Sequence, residues 1–328
     1  MSSQLHVARP ELLATREGTA AERLKAVVVG GSGQIGGWLL RHLAARGHES
    51  VGTYSTRAYP GLIPLDAADG DAADRLIREK KPDVVFYPAG FTWVDGCERD
   101  RAKAYRANLE QPMAVARSAA AGGARFVYFS TDYVFDGVSG PYGEDAATNP
   151  LSVYAQAKFD AEGALAEALG GRLLTVRTCW VFGPERQGKN YAYQLIRNLS
   201  HGKTMTCPSD QISSPSYGPD VAKAVLALVE AGASGLVNVV GPEVMNRVAF
   251  SRSIASAFGL DEDLILGKPT AEIGQGAPRP LNSGLLIDRL ESKLPGIMRP
   301  LDETLADFRA KLDDPALQTW VEPAIVWP

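Results

Sequence analysis

Apolar and polar positions alternate in blocks along the chain. The first block, "KAVVVGG" at residues 25–31, is a short apolar run closed by glycine, the pattern of a strand buried on both faces. In "QIGGWLLRHLAARGH", Ile35, Leu39, Leu40 and Leu43 fall at helical spacing and Gly47 closes the run. "SVGTY", "LIPL", "PDVVFYPAG", "ARFVYFS" and "RLLTVRT" predict further strands. "DAADRLIREKK", the long "ERDRAKAYRANLEQPMAVARSAAA" and the stretch from "YAQAK" to Gly170–Gly171 predict helices between them. Strands alternating with helices predict an α/β protein with a doubly wound parallel sheet over residues 25–180.

Past residue 180 the rhythm loosens. Glycine and proline punctuate "FGPERQGKN", "CPSDQISSPSYGPD", "VGPEVMNR" and "GKPTAEIGQGAPRP", with helices predicted at "PDVAKAVLALVEA" and "VAFSRSIASAF". Residues 181–328 therefore read as a smaller mixed lobe, rich in ligand-bearing loops, with some elements returning to the first domain. Residues 1–24 are polar, lack an apolar core and read as an N-terminal extension, not a secretory signal.

Totals narrow the class. The 328 residues are 45% hydrophobic and 22% charged, with a formal net charge of −4, so no basic face for nucleic acid is expected. Cys97, Cys179 and Cys207 are too far apart for a CxxC site, and His6, His42, His48 and His201 show no ligand spacing, so no metal is expected. No apolar run is long enough for a membrane span, and free thiols suit a reducing, cytoplasmic setting.

The candidate chemistry sits at two places. "GGSGQIG" puts Gly30, Gly33 and Gly36 between the first strand and the first helix, where helix N–H groups can meet a pyrophosphate. This makes the sheet a Rossmann-type dinucleotide site. The second strand ends "TYSTR", with Ser55 and Arg57 and no carboxylate, which favours the 2′-phosphate of NADP(H), with NAD(H) as the alternative. Asp66 could meet the adenine or cap the next helix. The second place is "STDYVFDG" with "YAQAK": Tyr154 and Lys158 lie one helical turn apart, and Ser130 and Thr131 end a strand. An ammonium beside a phenol is expected to lower its pKa, letting Tyr154 pass a proton to a carbonyl oxygen as hydride reaches the carbon.

Residues 25 to about 310 resemble an extended short-chain dehydrogenase/reductase, and within that superfamily the dTDP-4-dehydrorhamnose reductase family. The resemblance rests on "GGSGQIG", "VDGCERD", "STDYVFDG", "NPLSVYAQAK", "VRTCWVFGP", "SDQISSP" and "RPLNSGL". It implies Thr131, Tyr154 and Lys158 as the catalytic set, with Asn108 helping to hold the lysine through water. The implied cofactor set is Gly30, Gly33, Gln34, Ile35, Gly36, Ser55, Arg57, Asp66 and Ala89 with Tyr154 and Lys158. For a nucleotide-sugar substrate it implies Thr131, Asp132, Val134, Asn190, Gln211 and Arg279, the last against the diphosphate. Trp180 and Phe182 read as core packing.

Related dehydratases carry a second acid after the threonine-aspartate pair. Tyr133 stands there in this chain, so simple NADPH-dependent reduction of a 4-keto-6-deoxy sugar is the expectation. An epimerase or another carbonyl reductase is the alternative, as is a regulatory subunit that only binds NADP. The resemblance also implies a homodimer. "YPAGFTWVD" departs from relatives at Pro88 and Gly90, and "QISSPSY" has serines where glycine and threonine are common.

Overall fold

The computed structural model describes residues 23–314 and Leu317, and the N-terminal extension expected over 1–24 lies outside them up to residue 22. Seven strands among these residues form one parallel sheet: β1 Lys25–Val28, β2 Glu49–Tyr54, β3 Leu62–Pro64, β4 Val84–Tyr87, β5 Arg125–Thr131, β6 Leu173–Thr178 and β7 Gly235–Asn238. Their spatial order is β7-β6-β5-β4-β1-β2-β3. The order reverses between β1 and β4, and in such sheets the crevice beyond the strand carboxyl ends at that point receives ligands.

The nine main helices used below are α1 Gln34–Ala45, α2 Gly70–Lys80, α3 Val94–Arg99, α4 Arg101–Tyr105, α5 Gln111–Ala121, α6 Val153–Leu169, α7 Tyr191–Ser200, α8 Gly218–Glu230 and α9 Arg247–Phe258. Strand residues alternate between faces. Val27, Val85, Phe126 and Tyr128 pack with α2, α5 and α6, while Val28, Phe86, Val127 and Phe129 pack with α1, α8 and the second half. Both β7 and α8 come from beyond residue 180, so the second half completes the sheet as well as covering it.

The single long helix expected from residue 98 onwards is broken twice. Asp100 leaves helical geometry (φ −135°, ψ 79°) and restarts the chain by capping Lys103, whose N–H it accepts at 2.9 Å. A π-turn then occupies Arg106–Glu110. Its cause is Pro112, which has no N–H for the carbonyl of Asn108 four residues earlier. That carbonyl instead accepts the Tyr128 hydroxyl of β5 at 2.9 Å.

Helix α6 carries Tyr154 and Lys158, so its seating decides where the chemistry sits. Arg177 of β6 clamps it: Nε donates to Glu162 Oε1 at 2.9 Å and Nη2 to Oε2 at 2.6 Å, both side chains being almost dry. Glu162→Ala would leave the guanidinium buried without its carboxylate. It is expected to cost roughly 3–5 kcal/mol in urea unfolding. A loss below about 1 kcal/mol would show that the clamp does not hold α6.

Candidate active site

The glycine loop is shaped by close approach. Gly30 has φ +94°, which a side chain would strain, and a Cβ on Gly36 would lie 2.2 Å from the Gly30 carbonyl oxygen. Helix α1 is thereby pressed onto the loop. Its first intrahelical bond is Gly37 N–H to Gly33 O at 2.9 Å, which leaves the N–H groups of Gln34, Ile35 and Gly36 directed at the crevice. No acidic residue occupies this first turn. Ala89, after β4, lies against Gly30. This cradle, too narrow for side chains and lined with N–H donors, fits a dinucleotide diphosphate.

Ser55 and Arg57 are exposed beyond the end of β2, and Arg57 makes no ion pair among the described residues. Asp66 accepts from the Ala68 N–H at 2.9 Å, whereas the cap of α2 is Asp69, which accepts from Ala72 at 3.0 Å. The capping alternative for Asp66 therefore belongs to Asp69. Two contacts from the second half close over the loop: Gln187 Nε2 donates to Ser32 O at 3.1 Å, and Gln34 Nε2 to Gly183 O at 3.4 Å.

Tyr154, Thr131 and Lys158 converge at the carboxyl end of β5. Ser152 caps α6 by accepting from Ala155 N–H at 3.2 Å, so Tyr154 opens the helix. The Thr131 hydroxyl stands near the Tyr154 phenol, and Tyr133 is edge-on to that phenol with ring centroids 6.2 Å apart. Lys158 Nζ donates to the Phe129 carbonyl at 2.8 Å and lies 4.6 Å from the Tyr128 ring centre. Asn108 is fully buried: Oδ1 accepts from Phe91 N–H and Nδ2 donates to Phe91 O, both at 3.0 Å. A Cβ on Gly90 would meet Asn108 Oδ1 at 2.8 Å and Lys158 Nζ at 3.5 Å, so glycine here lets amide and ammonium share one pocket. The Ser130 hydroxyl is buried with no hydrogen-bond partner among the described residues.

The expected lowering of the Tyr154 pKa is not what the site produces. Burial pushes the phenol above its usual range, and the nearby Thr131 hydroxyl offsets only part of that. The ammonium does not supply the expected pull, because its hydrogen bond goes to the strand carbonyl. Burial also lowers Lys158 to about 8. Tyr154 is therefore a protonated donor at neutral pH, the form a reduction uses.

The expected substrate residues divide. Asp132 is buried, and its carboxylate accepts from Thr131 Oγ1 at 3.1 Å, from Ser213 Oγ at 2.9 Å and from the Ser283 hydroxyl. Burial raises it to about 6 against these three bonds. Val134 is wholly buried with Phe135 and Tyr142, so its side chain packs and does not face a ligand. Asn190 is the cap of α7, accepting from Tyr193 N–H at 3.3 Å and donating to Gly183 O at 2.8 Å; both ends of its amide serve the loop. Gln211 donates to Gln275 Oε1 at 2.7 Å and Thr270 Oγ1 at 3.1 Å. Arg279 is paired with Asp95 at 2.9 Å and donates to Ala277 O at 3.0 Å, so the diphosphate role expected for it meets a charge already neutralised. Phe182 is core, while Trp180 is half-open with Arg247 stacked on its ring.

Sequence reasoning missed Ser213, Ser283 and Tyr133 as site residues. The serines and Tyr133 lie inside "SDQISSP", "RPLNSGL" and "STDYVFDG", so the motifs marked them without giving their roles. Among the described residues no cluster of His, Cys, Asp or Glu could hold a metal ion, and no helix is long and apolar enough to cross a membrane.

A glycine cradle, a Tyr-x-x-x-Lys helix and a hydroxyl-ended strand on one parallel sheet define a short-chain dehydrogenase/reductase of the extended kind. The family model described as RmlD substrate binding domain matches residues 24–313, and the chain belongs to that family. The dTDP-4-dehydrorhamnose reductase of Mycobacterium tuberculosis is 35% identical over 273 residues, covering 81% of this chain and 85% of that protein. The crystal structure of dTDP-4-dehydrorhamnose reductase from Bacillus anthracis in complex with NADP superposes with a TM-score of 0.81 at 25% identity, over 88% of this chain and all of the other. Methionine adenosyltransferase 2 subunit beta of Danio rerio is 28% identical over 81% of this chain and 84% of its own length.

Asp132 makes stability depend on pH. Its folded pKa is near 6 and its ordinary value is 3.8, so the folded state holds the proton more tightly and stability falls as pH rises through that window. Relative to Asp132→Asn, the native chain is expected to lose about 3 kcal/mol between about pH 4 and 7, read by urea unfolding at each pH. Parallel profiles for the two proteins would remove Asp132 as the cause.

Proposed function

We propose that the protein reduces the 4-keto group of a dTDP-linked 4-keto-6-deoxy sugar with NADPH. The observation that carries this reading is the convergence of Thr131, Tyr154 and Lys158 at the sheet's ligand crevice, beside the glycine cradle. The reductases named above support the substrate class. NADPH, when bound, supplies the hydride.

The chain's own residues do the rest. Tyr154 donates its proton to the carbonyl oxygen as the carbon accepts hydride, leaving a secondary alcohol and a phenolate. Lys158, largely charged at neutral pH, stabilises that phenolate from within the same dry pocket. Asn108 and the Phe91 backbone hold the pocket wall beside the ammonium. Asp132 is engaged by three hydroxyls and no second acid follows it, so the turn lacks the pair needed to expel water from the sugar. Gln211, Asp132 and the loops they pin shape the sugar pocket.

The test is loss of NADPH absorbance with a panel of dTDP-4-keto sugars. Tyr154→Phe is expected to lower kcat about 100-fold or more with NADPH affinity within a factor of about two. Full activity in that variant would assign the proton to another group. Arg57→Ala is expected to weaken NADPH about tenfold and leave NADH little changed, since only the former carries a 2′-phosphate. An equal loss for both cofactors would move the phosphate contact elsewhere.

A second reading has the similarity to the methionine adenosyltransferase beta subunit in its favour: an NADP-binding regulatory subunit. Binding of NADPH without turnover of any panel sugar, together with co-purification of a partner enzyme, would select it.

A further inference from the structure

We propose that Arg247 takes the phosphate attached to the sugar of the nucleotide-sugar substrate; this rests on the reading of the substrate given above. Arg247 follows the Asn246 cap and opens α9. Its guanidinium carbon lies 3.3 Å from the Trp180 ring centre and 4.5 Å from that of Tyr191. Stacking fixes the plane of the guanidinium and leaves its N–H edge as the part able to bind, and that edge matches two oxygens of a phosphate.

Among the described residues no carboxylate pairs directly with Arg247. Arg177, Arg279 and Arg299 are each paired with a carboxylate, on Glu162, Asp95 and Asp220. Arg247 makes no such pair among the described residues, only its two ring contacts and longer-range attraction to Asp132, Tyr133 and Cys179. Its position in the first turn of a helix sets it against the helix dipole, and burial works against its charge. Trp180, beneath it, holds φ +41°, a backbone state that persists for a bulky residue only where its surroundings enforce it. A cation kept without a carboxylate under these three costs is suited to an anion that arrives from outside.

Location selects which anion. Asp132 and Tyr133, which feel the charge of Arg247, are on the turn that follows Thr131. In a hexopyranose C1 and C4 lie across the ring from each other. With the C4 ketone at Tyr154, a phosphate on C1 would fall one sugar ring away, and Arg247, close enough to act on Asp132 and Tyr133 of the turn, is the cation to meet it there.

Calorimetry on the full chain with dTDP and dTMP isolates the contact, because dTMP lacks the phosphate that would bear the sugar. The native protein is expected to bind dTDP about 10- to 100-fold more tightly than dTMP. Arg247→Met, which keeps the apolar stem between the rings, should bring dTDP down to the affinity of dTMP and change dTMP less than about threefold. Arg247→Lys, with charge but no fork, should lose about tenfold for dTDP. Unchanged NADPH affinity and Tm verify that each variant is folded. A dTDP-to-dTMP gap that persists in both variants overturns the assignment and leaves the proposed reaction standing. If UDP or GDP binds in place of dTDP with the same Arg247-dependent gap to its monophosphate, the assignment holds and the dTDP reading fails. Failure of the native chain to bind any nucleoside diphosphate overturns both.

Discussion

The carboxylate of Asp132 is buried, and the hydroxyls that bond it come from three separate parts of the chain. Thr131 is its neighbour on the catalytic strand, Ser213 lies in the loop after Pro208, and Ser283 lies beyond Pro280. A buried carboxylate short of donors is costly, so these loops cannot leave the turn without a penalty. The second half is fixed above the sheet by that requirement. The same bonds set the direction of the Thr131 hydroxyl. Its one proton goes to Asp132, and one lone pair takes the Tyr133 N–H at 3.2 Å. Tyr154 stands beside this hydroxyl, whose effect on the phenol opposes that of burial.

Dryness also sets the acid-base order of the site. Burial acts in opposite senses on an anion-forming phenol and a cation-forming amine, raising Tyr154 and lowering Lys158. The two are pushed apart in pKa by their surroundings and not by contact between them. A phenol at its high end stays protonated at neutral pH, the form a reduction consumes. Ion pairs therefore matter most at the edges of the pocket, where Arg177 seats α6 and Arg279 is paired with Asp95.

Much of this could be read in the sequence. Apolar runs gave β1, β4 and β5, because strands buried on both faces leave no polar alternation to misread. Gly30, Gly36, Tyr154 and Lys158 were legible because each occupies a fixed offset from an element boundary. The direction of the Tyr154 pKa was not, since spacing reports neighbours but not burial. Asn190 and Asp69 show the same limit from the other side: polar residues at helix starts serve caps, and sequence alone does not separate a cap from a ligand. Arg279 looked like a phosphate ligand because its partner, Asp95, lies far away in the chain. Helix α7 and the helix Leu301–Asp313 sit amid glycine- and proline-rich loops that hid their periodicity.

Pro112 shows how one covalent constraint reaches the reacting groups. The proline deprives the Asn108 carbonyl of its helical donor, and the Tyr128 hydroxyl fills the vacancy. That bond anchors the π-turn to β5. The turn in turn projects the Asn108 amide inward, where it binds both backbone groups of Phe91 and fixes the segment carrying Gly90. Lys158 rests over the ring of the same Tyr128 and against the same Gly90. A widened helical turn, a strand tyrosine and a glycine thus form one wall of the lysine pocket. A regular helix over 106–112 would return the Asn108 carbonyl to the helix, release Tyr128 and leave the ammonium without the wall that holds it beside Tyr154.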